Sequence, residues 1–89
     1  MYSKQVTVIN VTGLHARPAA KFVRTAKQFS SDIEIRKEES SESVNAKSVV
    51  RVLTEAISQG TRVEISAHGP DEREAVDQLV ALIESGFDE

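Results

Sequence analysis

The chain has 89 residues, enough for one small domain spanning residues 1–89. It contains no cysteine, which excludes disulfides, thiol redox chemistry and cysteine–zinc sites and suits a reducing cytoplasm. The formal net charge is −3 and no apolar run approaches the ~20 residues that cross a bilayer, which argues against general nucleic-acid binding and membrane insertion. The N-terminal residues lack the apolar stretch of a signal peptide, and we therefore expect a cytoplasmic location.

The first third of the chain predicts a strand, a loop and a helix. Alternation over residues 4–9 predicts a strand with both faces partly buried, and residues 10–15 follow as a loop. A helix to about Lys27 or Gln28 is predicted by apolar residues at helical spacing, namely Ala19, Phe22, Val23 and Ala26.

The middle of the chain predicts two short strands around a polar loop. Ile33 and Ile35 predict a half-buried second strand, and Val44 marks a short third one. Residues 36–43 contain three glutamates and three serines, which is typical of a hairpin loop. The part at 38–43 is the one segment for which we expect local mobility.

A second helix is predicted after Ser48, whose hydroxyl can cap the free N–H groups of the next turn. Apolar spacing continues this helix through Ala56 and Ile57, and Gly60 ends it. The same spacing leaves Val50 facing outward and directs three other side chains to the core, namely Val49, Val52 and Leu53.

The last third predicts one strand and one helix. Residues 62–67 alternate between polar and apolar, Gly69-Pro70 ends the strand, and Asp71 with Glu74 matches a capping box. Gly86 ends the helix, whose apolar face is Ala75, Val76, Leu79, Val80, Leu82 and Ile83. The order β-α-β-β-α-β-α predicts an α+β fold with one sheet and three helices on one of its faces.

A histidine and an arginine lie at the mouth of the first helix. Gly13 permits an unusual turn, His15 and Arg17 follow, and Pro18 fits the first helical turn, where its missing N–H costs nothing. Free N–H groups and the helix dipole attract anions there and should favour a neutral imidazole. A neutral ring nitrogen can attack phosphorus, and the guanidinium can bind the phosphate. The other interpretation is a histidine that is only a capping or surface residue.

The string G-L-H-A-R-P-A at residues 13–19 resembles the active-site segment of HPr, the histidine-containing phosphocarriers of the bacterial sugar phosphotransferase system. Residues 45–48 resemble the regulatory-serine segment of that family, and residues 59–61, 65–67 and 69–72 resemble its last strand and the start of its last helix. The resemblance covers nearly the whole chain. It implies an open-faced β-sandwich with an antiparallel four-stranded sheet.

The resemblance implies that His15 accepts a phosphoryl group on Nδ1 from phosphorylated enzyme I and passes it to an enzyme IIA domain in sugar uptake. Arg17 would position the group and neutralise charge on its oxygens. The chain would then be a carrier rather than a stand-alone enzyme, without a cofactor. Because a carrier must expose one face to several partners, we expect a monomer.

Ser48 matches the regulatory serine, which HPr kinase/phosphorylase modifies in some members of the resembled family and which a catabolite control protein then recognises. A role as the N-cap of the second helix is enough to explain a serine at this position, without any regulatory function. Arg51 stands where members of that family often have glycine or lysine, which leaves this regulation open.

Residues 15–27 carry four basic and no acidic side chains, which would steer acidic partners, although an ordinary solvated helix face explains them too. The resembled family docks its partners with the first two helices. The docking candidates are therefore Arg24, Lys27, Val50 and Arg51, with Thr12 and Ala16 beside the histidine. For Thr12, a role in capping the loop is at least as good an explanation as a role in docking.

Two other functions compete with sugar phosphotransfer. A regulatory paralogue of the nitrogen or dihydroxyacetone-kinase branch would act mainly through protein binding, and a small binding domain would involve no phosphate chemistry.

His68 has no nearby arginine and is predicted to be a structural or surface residue. Two distant histidines without cysteine give no metal-ligand pattern, and no glycine-rich loop predicts nucleotide binding.

Overall fold

The computed structural model describes residues 1–88 and contains strands and helices in the predicted order. The strands are β1 (Tyr2–Thr7), β2 (Asp32–Lys37), β3 (Val44–Asn45) and β4 (Arg62–His68). The helices are α1 (Ala16–Ala26), α2 (Val49–Thr54) and α3 (Glu72–Glu84), and a 3-10 turn follows at Gly86–Asp88. Within residues 1–88, no helix combines the length and the apolar character that a membrane span requires.

The four strands form one antiparallel sheet in the order β1-β4-β2-β3. Val6 pairs with Val63 and Ile35 pairs with Ile65, so these apolar side chains line one face together. Buried and more exposed residues alternate along β2 and β4, which shows that the helices cover a single face. The predicted α+β architecture, an open antiparallel sheet with three helices, is confirmed.

The first strand lies earlier in the chain than the predicted residues 4–9, and its outer face is not covered. Ser3 and Gln5 point away from the helices and are exposed, whereas Val6 is buried. Ile9 follows the strand and keeps 52% of its surface exposed. The expectation of two partly buried faces is therefore wrong, because helices pack on only one side of the sheet.

The second helix begins as predicted but is only six residues long. The Ser48 Oγ accepts a hydrogen bond from the N–H of Arg51 at 3.3 Å, which confirms the predicted N-cap. The helix ends at Thr54 because Ala56 adopts a left-handed conformation with φ 52°. The predicted continuation through Ala56 and Ile57 is therefore wrong.

The short second helix also changes which of its side chains are buried. Val52 is fully buried, but Val49 and Leu53 keep 39% and 40% of their surface exposed, so their predicted place in the core is wrong. A helix of under two turns buries only a narrow stripe, and these two side chains lie at its edges. Val50 faces outward as predicted, with 65% of its surface exposed.

Asp71 ties the turn before α3 to the turn after α1. Its carboxylate accepts hydrogen bonds from the backbone N–H groups of Ser30 and Ser31, both at 2.9 Å, and from the Ser31 hydroxyl. It makes no side-chain capping bond to α3, so the capping box predicted with Glu74 is wrong. The Ser31 hydroxyl and the backbone donors favour the ionised form and lower the pKa of Asp71 to about 2.

This pKa lies below the ordinary value of 3.8, so the ionised carboxylate of Asp71 stabilises the fold above about pH 4. The stabilisation is lost as the pH falls towards 2. We expect the free energy of unfolding of the wild type to exceed that of Asp71→Asn by a constant amount above pH ~4 and by a shrinking amount below it. Urea unfolding at stepped pH measures this difference. Glu74→Gln, an exposed carboxylate at the start of the same helix, is the control, and a difference that widened on acidification would contradict the account.

Candidate functional site

A tight loop between β1 and α1 carries His15. The N–H of Gly13 donates to the Asn10 carbonyl oxygen at 3.1 Å, and Gly13 has a left-handed φ of 66°. Leu14 is fully buried, and its N–H donates to the Ile57 carbonyl oxygen at 2.9 Å. A Cβ on residue 13 would overlap the backbone that follows α2. Conformation and space therefore both require glycine there, and the loop is anchored immediately before the histidine.

His15 is the N-cap residue of α1, with an extended backbone (φ −128°, ψ 158°). Its side chain is half-buried and makes no capping hydrogen bond. Ala16 then adopts a left-handed φ of 50° and turns the chain into the helix, and Arg17 is exposed one residue later. No sequence pattern indicated this left-handed alanine.

The first turn of α1 contains no acidic residue. Its backbone N–H groups and the positive end of the helix dipole therefore face no carboxylate from their own turn. A helix start of this kind attracts anions, and the exposed guanidinium of Arg17 is two residues from His15 in the chain. This arrangement suits a phosphoryl group.

A second feature is the exposed surface formed by α1 and α2. Ala20, Val23, Arg24, Lys27 and Val49 line a groove between the two helices. The predicted docking residues Arg24, Lys27, Val50 and Arg51 are all exposed. We call this the α1–α2 surface; its exposed residues are Ala20, Arg24, Lys27, Val49, Val50, Arg51 and Leu53.

Three residues of the α1–α2 surface were not predicted from the sequence: Ala20, Val49 and Leu53. The available signal was the density of apolar residues around Val50, because one face of a helix cannot bury all of them. The α1–α2 surface therefore combines exposed apolar side chains with the basic side chains of Arg24, Lys27 and Arg51.

The remaining predicted residues lie in different places. Ser48 precedes Val49, and Val49 lines a groove together with Arg24 and Lys27. These two basic residues lie about two to three helical turns along α1 from His15. Ser48 thus borders the α1–α2 surface away from the histidine end of α1. The exposed Thr12 accepts a hydrogen bond through Oγ1 from Asn10 at 3.3 Å, as expected for a loop cap.

His68 lies at the end of β4, where it pairs in register with Asp32. It alternates with the buried residues of the strand and therefore points to the uncovered face of the sheet, away from α1. No group of three or more His, Cys, Asp or Glu side chains within residues 1–88 could hold a metal ion.

Comparisons with known proteins show the family to which the chain belongs. The family model described as "PTS HPr component phosphorylation site" matches residues 2–85. The phosphocarrier protein HPr of Haemophilus influenzae is 52% identical over 83 residues, which are 93% of this chain and 95% of that protein. The phosphocarrier protein NPr of Proteus mirabilis is 42% identical over 86 residues, 97% of this chain and 94% of that protein. Proteins named HPr-like protein Crh also match.

Among solved structures, HPr-C-His from Thermoanaerobacter tengcongensis superposes with a TM-score of 0.94 at 49% identity and covers 100% of this chain and 98% of that chain. A structure titled as an HPr dimer from the same organism has a TM-score of 0.77 at 49% identity, with 100% of both chains covered. Fold and sequence thus define an open-faced α+β phosphocarrier. The chain belongs to the HPr family of the phosphotransferase system.

Proposed function

We propose that this chain accepts a phosphoryl group on Nδ1 of His15 from phosphorylated enzyme I and passes it to an enzyme IIA domain during sugar uptake. One observation carries the proposal: in an HPr-family chain, a half-buried histidine without a capping bond lies at the start of a helix whose first turn has no acid. A phosphate at this position gains the helix donors and Arg17.

The transfer needs little machinery from the carrier itself. The Nδ1 lone pair forms a phosphorus–nitrogen bond while the bond between phosphorus and the donor breaks, and the reverse exchange delivers the group to the next protein. Arg17 neutralises charge on the phosphoryl oxygens in both steps, so catalysis rests on positioning and electrostatics. The histidine is nucleophile in the first step and leaving group in the second.

The experiment is a reconstituted relay. The chain is mixed with enzyme I and phosphoenolpyruvate, and an enzyme IIA domain is then added. We expect an acid-labile phosphate on the chain that moves to the IIA domain. An active enzyme I that leaves the chain unlabelled would contradict the proposal.

The α1–α2 surface is proposed as the docking site for enzyme I and enzyme IIA, with Thr12 and Ala16 at its histidine end. Exposed apolar side chains next to arginine and lysine suit a partner that offers both an apolar contact and carboxylates. We propose Ser48 as the regulatory site of the same surface, open to HPr kinase/phosphorylase and, once modified, to a catabolite control protein. A phosphate there would place negative charge beside Arg24, Lys27 and Arg51.

Ser48→Asp tests docking and regulation together. Aspartate caps a helix as well as serine does, so α2 should persist. We expect the KM for phosphorylated enzyme I to rise about fivefold, the factor for ~1 kcal/mol of lost charge attraction, with little change in kcat. Ser41→Asp in the exposed 38–43 loop adds the same charge elsewhere and is the matched control. Equal effects of the two variants would exclude a local role for Ser48.

The second candidate is a regulatory paralogue, for example of the nitrogen branch. The 42% identity to the Proteus mirabilis NPr is the observation that favours it. Initial rates with sugar-branch and nitrogen-branch enzyme I, measured side by side, separate the two candidates. A faster rate with the sugar-branch donor supports the proposed function, and a faster rate with the other donor supports the paralogue.

We also propose a cytoplasmic monomer as the working form. A single copy of the chain presents both His15 and the α1–α2 surface at its exterior. Light scattering at the concentrations of the transfer assay tests this, because the related structure titled as a dimer makes a second state a concrete alternative.

A further inference from the structure

Two polar residues are buried among those whose burial the structure describes: Asn10, with 5% of its surface exposed, and Ser31, with 1%. The burial of Ser31 is explained by its bonds to Asp71, far along the chain from the histidine loop. Asn10 lies inside the histidine loop itself. A buried carboxamide must be hydrogen-bonded, so its partners indicate what it holds in place.

The Asn10 carboxamide donates from Nδ2 to the Gly13 carbonyl oxygen at 2.9 Å and to Thr12 Oγ1 at 3.3 Å. The next atoms along the chain are held as well, because the Leu14 N–H donates to the Ile57 carbonyl oxygen at 2.9 Å. The peptide unit between Gly13 and Leu14 is therefore fixed at its oxygen by Asn10 and at its nitrogen by the segment after α2. His15 follows this peptide unit after one fully buried residue.

Glycine is the residue whose flanking peptides rotate most readily, because it has no Cβ to restrict φ and ψ. Gly13, with φ 66°, is thus the point at which the loop could change direction. Without the Asn10 donor, the Gly13 carbonyl oxygen would lose this partner, and the peptide unit would be held only at its nitrogen, so that its oxygen could tilt towards another donor. The orientation of the His15 ring would then vary.

We propose that Asn10 is a positioning residue for phosphoryl transfer at His15: its carboxamide fixes the Gly13–Leu14 peptide unit and so sets the direction in which the imidazole is presented. This inference rests on the proposed function of His15. Misplacing a reacting group by a small distance lowers the rate of the chemical step more than it weakens encounter with the partner. Asn10 should therefore affect kcat rather than KM.

The test compares Asn10→Leu, which keeps the shape and loses the donor, and Asn10→Asp, which keeps the shape and replaces the donor by an acceptor. Ile33→Val on β2 is the control, because it weakens the core without touching the loop. Phosphoryl transfer from phosphorylated enzyme I is measured together with the melting temperature. We expect kcat to fall roughly tenfold in both Asn10 variants, with KM nearly unchanged, and both constants to stay at wild-type values in Ile33→Val.

Wild-type kcat in folded Asn10→Leu and Asn10→Asp would overturn the inference, and so would an equal fall in Ile33→Val. A wild-type chain that accepts no phosphate would contradict the proposed function instead. A second measurement needs no partner protein: the NMR signals of the Gly13 and Leu14 amides and the His15 ring should shift or broaden in Asn10→Leu. Unchanged signals at these three positions would overturn the role of Asn10 independently of any transfer assay.

Discussion

Replacing His15 by alanine is expected to abolish phosphoryl acceptance completely. The variant removes the ring nitrogen that would carry the phosphate, and no group in the first turn of α1 can replace it. The fold should survive, because the imidazole makes no capping hydrogen bond and is only half-buried. We expect the free energy of unfolding to change by no more than about 0.5 kcal/mol. Labelling with phosphoenolpyruvate and enzyme I, together with urea unfolding, measures both quantities.

His68→Ala is the matched control, since it removes the other imidazole of the chain from the uncovered face of the sheet. It should be phosphorylated at the wild-type rate. Residual acid-labile phosphate on His15→Ala, or its loss in His68→Ala, would place the acceptor elsewhere.

The second large effect is expected for Gly13→Ala. The new methyl group would overlap the backbone at Ile57 and Ser58, and φ would stay at 66°. The left-handed conformation costs about 1–2 kcal/mol for a residue with a Cβ, and overpacking adds about 1–3 kcal/mol. The loop can escape only by moving away from the segment after α2, which would displace His15. We therefore expect both lower stability and a severe loss of phosphoryl transfer.

Gly60→Ala distinguishes the cost of a left-handed backbone from the cost of the steric overlap at Gly13. Gly60 also has a left-handed φ, at 90°, but no atom lies within 4 Å of its would-be Cβ. This variant should lose only the strain contribution of about 1–2 kcal/mol and should transfer phosphate normally. Equal stability losses at the two positions, measured by urea unfolding, would show that the close approach at Gly13 is not significant.

Some features of the fold follow from local pattern, and the sequence was sufficient for those. The alternation around Val63 and Ile65 and the helical spacing after Arg17 each reflect a single buried face, so the element order could be read directly. The N-cap at Ser48 depends on a few neighbouring atoms and was likewise predictable.

Other features depend on groups far apart in the chain. Asp71 fits a capping box by spacing, but two serine N–H groups 40 and 41 residues away provide better donors, and the carboxylate turns to them. Val49 and Leu53 have the spacing of core residues, yet α2 ends too early to bury them. Neither the distant serine donors nor the early end of α2 can be recognised from the residues next to each position.

The chemical groups of the candidate site could be predicted from the sequence, but the contacts that hold its loop in place could not. The histidine, the arginine and the proline of the first turn are adjacent in sequence, so their meeting at a helix start could be inferred. The support of the site includes the left-handed Ala16 and the hydrogen bond from the Leu14 N–H to the Ile57 carbonyl oxygen, whose two residues lie far apart in the sequence. Such contacts become visible only when the chain is folded.

The central claim is that Nδ1 of His15 carries the phosphoryl group, and phosphorus–nitrogen NMR tests it most directly. The chain, with 15N-labelled histidine, is phosphorylated by enzyme I and phosphoenolpyruvate and kept at neutral pH. We predict a one-bond coupling between phosphorus and Nδ1 of His15, and loss of the signal in mild acid. An acid-stable phosphate on Ser48, or a coupling to a nitrogen of His68, would contradict the account.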